Sequence, residues 1–112
     1  MTFLGPAARF HAEIRDGRVL VNGKPAPLAA PKSTIGHASL YCRPWHLQPV
    51  PAGYGSYQGM ISGIRRLGSM RRIEVSQADG TKLEIEVPLV TNLKVGEEIG
   101  LDILDGVIFR DR

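Results

Sequence analysis

Two groups of side chains in this sequence have the types and spacing to do chemistry. Arg43-Pro44-Trp45-His46 sets a guanidinium, an indole and an imidazole within four residues. Together they could hold an oxyanion through charge-assisted hydrogen bonds, bidentate where the geometry allows. The same residues also read as a packing anchor, with Trp45 a buried plug between two parts of the fold and Arg43 tying down a carbonyl or carboxylate. Arg65-Arg66 and Arg71-Arg72 flank the turn Gly68-Ser69. In an extended chain, alternation sends one member of each pair outward, so at most two guanidiniums share a face. That pair could bind an oxyanion or an acidic surface. Glu74, Glu84 and Glu86 across the ladder would instead balance these charges, at about 0.2–1 kcal/mol per pair.

Other chemistries find little support. His11, His37 and His46 show no helix-type ligand spacing, and with a single cysteine they give no zinc pattern. Ser, His and Asp occur without a nucleophile elbow, so no catalytic residues are assigned. Pro31-Lys32-Ser33-Thr34 holds a Lys-Ser pair but lacks the glycines of Gly-x-x-x-x-Gly-Lys-Ser/Thr, so no loop cradles nucleotide phosphates. Cys42 follows Ser39-Leu-Tyr and reads as a buried structural thiol; a lone cysteine offers no internal disulfide.

The 112 residues suit one domain, or two small lobes sharing a core. A mean hydropathy of -0.07 marks a globular composition. No apolar run approaches the roughly 18 residues of a membrane span, and no export signal is expected. The net charge of +3 raises the question of nucleic acid. Its distribution answers in part: residues 1–56 carry net +4 and residues 57–112 net −1, without the single basic face of a dedicated backbone binder.

Period-two patterning predicts the elements that must position these groups. Phe10, Ala12 and Ile14 alternate with polar residues up to Asp16-Gly17; Arg18 to Val21 answers them, and Asn22-Gly23 turns again. Lys24 to Ser33 holds three prolines and should be irregular or an edge. Gly36 releases a strand to Cys42, and Pro44 presets a turn or a single helical turn. The Gly- and Pro-rich residues 49–56 read as a linker. Beyond it, Met60, Ser62, Ile64 and Arg66 should face one way and Ile61, Gly63, Arg65 and Leu67 the other, with Gly59 and Gly63 marking a bend or bulge. Ile73, Val75, Leu83, Ile85 and Val87 form an inward face around the turn Asp79-Gly80. Ile99, Leu101 and Ile103 alternate before Asp105-Gly106, which should turn the chain into Val107 and Phe109. The expected fold is all-β: antiparallel, OB-like small barrels, two lobes packed as one unit. Residues 10–56 make the first lobe and 57–112 the OB-like second lobe.

The pattern resembles the C-terminal regulatory region, with its transport-associated OB (TOBE) module, of ATP-binding subunits from ABC importers, above all those for sulfate and thiosulfate. Phe3-Leu4-Gly5 is similar to the sequence that ends the ATPase domain there, which makes residues 1–9 either the tail of that preceding domain or an artificial start to the chain. The strand pair over residues 10–22, the strand ending in Leu40-Tyr41-Cys42-Arg43-Pro44-Trp45, and Arg65-Arg66-Leu67-Gly68 with the strands around Asp79-Gly80 carry the rest. The resemblance implies a non-enzymatic accessory domain that mediates subunit association and, in some of the family, senses the transported substrate; the residues whose side-chain types could serve an oxyanion here are Arg43, Trp45, His46, Arg65 and Arg66. It implies a second copy of the ATPase subunit and the membrane permease subunits as partners, and a cytoplasmic place beside the inner membrane. No cofactor is expected in these residues, ATP and magnesium belonging to the parent ATPase domain. The alternative is an OB-type nucleic-acid module, which needs aromatic platforms interleaved with basic residues along one groove. Tyr41, Trp45, Tyr54 and Tyr57 gather near the junction, while residues 70–87 carry no aromatic side chain, so nucleic acid is not expected as a partner.

Overall fold

A computed structural model describes residues 8–30, 35–77 and 80–110. Expectations for residues 1–7, for Lys32-Ser33-Thr34 and for Asp79 lie outside them. Among the described residues ten strands form two antiparallel five-stranded sheets. They are β1 (Ala8–Arg15), β2 (Arg18–Val21), β3 (Lys24–Ala29), β4 (Gly36–Cys42), β5 (Leu47–Pro51), β6 (Tyr57–Leu67), β7 (Met70–Ser76), β8 (Lys82–Pro88), β9 (Glu98–Ile103) and β10 (Val107–Arg110). The first sheet runs β10-β4-β1-β2-β3 and the second β5-β9-β6-β7-β8. A single 3-10 turn, Pro44–His46, is the only helical piece among the described residues. It packs with β5 against β8, drawing the two ends of the second sheet together into a small OB-like barrel.

Local chemistry explains most elements. Asp16-Gly17 and Asn22-Gly23 both have φ between 54° and 76°, which closes tight hairpins and fixes the pairing Ala12↔Val21. In β3, Pro25 and Pro27 sit on a sheet edge, where a missing donor leaves no ladder bond unmade. One core joins the sheets: alternate residues Phe10, Ala12 and Ile14 of β1 meet Ile61, Ile73, Val75, Ile85 and Leu101 of the second sheet. Phe10 meets Tyr57 edge to face at 5.0 Å across the join. Each fully buried aliphatic side chain contributes about 1.5–3 kcal/mol relative to exposure.

Four expectations need correction. Residues 49–56 are not all linker, because Leu47–Pro51 is an edge strand paired with β9; Pro49 and Pro51 fit there for the same reason as the prolines of β3. Asp105-Gly106 does not close a hairpin. β9 and β10 belong to different sheets, and β10 returns to pair with β4. Gly106 serves close approach instead: a Cβ there would meet Leu40 Cδ1 at 2.8 Å and the Tyr41 carbonyl oxygen at 2.9 Å. In β6 the bulge falls between Ile61 and Gly63 and adds a residue, so Ile64 faces Ile73 and joins the Ile61 side. Arg65 is thereby turned outward opposite Arg72. Trp45, read as a possible plug, is 56% exposed; the junction is filled by Phe10 and Tyr57 instead. Sheet membership crosses residue 56 in both directions, with β5 in the second sheet and β10 in the first.

Cys42 is buried and donates its thiol hydrogen to the Asp105 carbonyl oxygen at 3.3 Å. Burial, and then the Asp105 charge, push the thiol up to about 12. The folded thiol keeps its proton where an unfolded one ionises, so stability is full below 9.0 and is lost as pH rises toward about 12. Maleimide labelling of native protein at neutral pH is expected to be negligible and to become rapid in denaturant. Fast labelling of the native chain would contradict the burial.

Candidate functional site

The first expected site group sits on the 3-10 turn. Pro44 at its start lacks an N–H that the turn would leave unpaired, and supplies the preset φ. His46 locks the turn twice: its Nδ1 accepts the Arg43 backbone N–H at 3.0 Å, and its own backbone N–H donates to the Arg43 carbonyl oxygen at 2.9 Å. The His46 carbonyl then accepts the Leu104 N–H at 2.8 Å, tying the turn to the end of β9. The imidazole is thus committed to structure on its Nδ1 side. Trp45 projects outward against the His46 ring, at a centroid distance of 5.7 Å. It forms one wall of a cleft of about 340 Å³ whose other walls include Pro49, Glu86, Pro88 and Leu104.

The second group divides between the two faces of β6, β7 and β8, with Arg65 opposite Arg72 on the outer face and Arg66 opposite Arg71 on the other. Arg65 reaches both oxygens of Glu84 at 3.4 Å. Arg72, 8% exposed, donates to Glu84 at 3.0 Å and to Glu86 at 3.3 Å. Arg66 turns back onto the Gly68 carbonyl at 3.1 Å, and Arg71 donates to the Thr91 carbonyl at 3.1 Å. Glutamates across the ladder thus balance Arg65 and Arg72, while Arg66 and Arg71 bond backbone carbonyls and Glu74 pairs with Lys82 instead. Exposed pairs such as Arg65–Glu84 contribute about 0–1 kcal/mol. The Arg72 Nε, buried without a hydrogen-bond partner, offsets part of that gain.

Glu86 joins the two groups, since it pairs with Arg72 and also lines the Trp45 cleft. The cleft therefore has an apolar wall and an acid but no base, which suits a protein surface better than an anion. Another cleft, about 530 Å³ beside Gly53, Gln58, Met60 and Gln77, likewise carries Glu98 and no base among its described lining residues. Register brings His11 and His37 together, stacked at 5.4 Å, although they are distant in sequence. Among the described residues no group of three or more His, Cys, Asp or Glu could hold a metal ion. No helix is long and apolar enough to cross a membrane.

Sequence reasoning passed over a third place, a groove of about 320 Å³ between the sheets that brings Arg9 and Lys82 to one lining. Residues 73 positions apart in the chain share no local motif. Nothing short of the three-dimensional pairing could have pointed to them.

Comparison with known proteins completes the picture. Residues 51–103 match the family model described as TOBE-like domain. That span runs from the last residue of β5 to the end of β9, which is nearly the whole second sheet. The chain is 33% identical over 113 residues to the sulfate/thiosulfate import ATP-binding protein CysA of Rhodopseudomonas palustris, covering 98% of this chain and 32% of that protein. It is 30% identical over 100 residues to the protein of the same name from Bradyrhizobium diazoefficiens, covering 89% of this chain and 29% of the relative. The Mesorhizobium japonicum protein matches at 27% over 88 residues, or 78% of this chain and 25% of the relative. The chain thus spans about a third or less of the curated relatives it matches. Its all-β, OB-like architecture and these likenesses agree: residues 51–103 match the TOBE-like domains, which are regulatory rather than catalytic, and most of the chain is similar to the C-terminal part of sulfate/thiosulfate import ATP-binding proteins.

Proposed function

We propose that this chain is the regulatory domain of an ATP-binding subunit in a sulfate- or thiosulfate-class importer. It acts by associating with a second copy of that subunit and by responding to an oxyanion. The observation that carries this reading is the likeness over 98% of the chain to a protein named for sulfate and thiosulfate import. ATP, magnesium and the permease subunits then belong to the rest of the assembly, which places the domain on the cytoplasmic side of the inner membrane. Regulation works by differential binding: a ligand held better in one arrangement of the two subunits shifts the population toward it.

The association surface includes Trp45 with its neighbour Leu104, respectively 56% and 45% exposed, flanked by Pro49 and Pro88. A large exposed aromatic with an acidic rim is typical of a contact patch and atypical of a free surface. Arg43 and His46 position this ridge, while Arg65 and Arg66 edge the same barrel. Because native Cys42 is shielded, Trp45→Cys gives a single reactive thiol. In the assembled importer this variant is expected to cross-link two ATP-binding subunits through a short bis-maleimide. Cross-linking absent at position 45, yet obtained from a cysteine placed at exposed Val90, would place the contact elsewhere.

A further inference from the structure

We infer that β10 is a docking edge at which a second copy of this chain adds its own β10, antiparallel, so that the first sheets of two copies run on as one. This deepens the association reading and carries it beyond the Trp45 ridge; only its role in the importer rests on that reading.

A strand at the rim of a sheet offers a row of unpaired N–H and C=O groups, and folded proteins usually blunt such a rim. Of the four rims among the described residues, three are blunted. β3 carries Pro25 and Pro27. β5 and β8 carry Pro49, Pro51 and Pro88, and the 3-10 turn closes them toward each other. β10 differs. Val107-Ile108-Phe109-Arg110 holds no proline, and it pairs residue for residue with Tyr41, Leu40, Ser39 and Ala38 of β4 without a bulge. Among the described residues β4 is its only neighbour. Alternate backbone N–H and C=O groups along it therefore point away from the sheet.

Side chains along this edge are apolar on both faces. Val107 is 45% exposed, and Ile108 packs only partly against the shared core. Phe109 lies edge to face on Tyr41 at 5.4 Å, which holds its ring beside the edge. The chain reaches β10 from Leu104 in the Trp45 cleft. Exposed Trp45, Leu104 and Val107 thus lead from the ridge onto the edge.

A second copy is the occupant because the edge complements itself. Pairing about a two-fold axis normal to the sheet and centred on Ile108 sets each Ile108 opposite its counterpart above the core. On the outer face each Val107 then meets the partner's Phe109. Four residues a side bury less than the roughly 1,600 Å² of a standard stable interface. The contact is therefore weak between free domains and favoured in one assembly, where tethering supplies an effective concentration of about 1 mM. A contact of that strength can form and break between arrangements of the two subunits, as a population shift requires.

The experiment is sedimentation equilibrium of this chain, with amide hydrogen exchange followed by NMR, from low to high protein concentration. The mass is expected to rise toward that of a dimer, while exchange slows at alternate residues of β10 and not in β3. Val107→Lys and Val107→Asp each place like charges across the axis and should weaken the dimer about fivefold. An equimolar mixture of the two should restore it, which a misfolded variant could not do. A monomer at every concentration, slowed exchange confined to other strands, or variants that dimerise like the parent would overturn the edge. Unchanged dimerisation of both variants, with Trp45→Cys still cross-linking in the assembled importer, removes β10 and leaves the association reading standing. Pairing through β10 without cross-linking at position 45 supports the edge and removes the Trp45 ridge.

Discussion

Gly100→Ala is expected to cost about 3 kcal/mol, at the upper end of overpacking effects. Gly100 lies in β9 between β5 and β6, opposite Val50 on one side and Gln58 on the other. A Cβ there would fall far inside contact with the Tyr54 carbonyl oxygen and 3.0 Å from Val50 Cγ2. The chief obstacle is backbone, so no rotamer change relieves it. Nor can the loop slide away cheaply: Tyr54 N–H donates to the Pro51 carbonyl at 3.0 Å, Ser56 N–H to the Leu101 carbonyl at 2.9 Å, and the Gln58 amide bridges the Tyr54 carbonyl and the Gly53 N–H. Gly96→Ala is the control. Its φ of 91° strains a side chain, but nothing lies within 4 Å, so only the conformational cost of about 1–2 kcal/mol is expected. Urea unfolding of both variants checks this through the midpoint at constant slope. Equal losses would mean that the loop over Gly100 yields.

Leu40→Ala is expected to cost about 3 kcal/mol, within the 2–5 kcal/mol range for emptied core sites. Leu40 is fully buried on β4, the strand between β1 and β10, opposite Phe10 and Ile108. Its Cδ1 also fills the space against Gly106, where the chain crosses from the second sheet back to the first. The cavity would open at the seam joining the sheets, so one unfolding transition should shift as a whole. Val90→Ala, at a position 91% exposed, should stay within about 0.5 kcal/mol. A loss at Leu40 no larger than at Val90 would show that the two sheets do not share a core.

The hairpins were legible in the sequence because their cause is local. Asn22-Gly23 needs positive φ at both positions, and a dipeptide suffices to announce it. The inward set Ile73, Val75, Leu83, Ile85 and Val87 followed from period two, and all five are buried. Asp105-Gly106 carried the same signal for another reason: its glycine makes room for Leu40 and Tyr41, which are more than sixty residues away in sequence. No window of sequence shows that β10 belongs with β4. The prolines of β5 hid a strand, because edge and linker share a composition until a partner such as β9 is known. The candidate site was less legible than the fold. The arginine–glutamate balance was visible in alternation, but the bulge that turns Arg65 toward Glu84 changes which residues share a face. Trp45 looked like core by residue type, and only the turn that carries it shows it facing outward. Arg9 and Lys82 had no signal, since which residues line one groove between sheets is a property of topology.

The most direct test of the regulatory role is ATP hydrolysis by the assembled importer as sulfate is raised on the cytoplasmic side, with and without this domain in its ATP-binding subunit. Hydrolysis is expected to survive removal of the domain and to lose its response to sulfate. A sulfate response that persists unchanged without the domain would contradict the regulatory role, and nucleotide binding traced to these 112 residues would contradict the assignment itself.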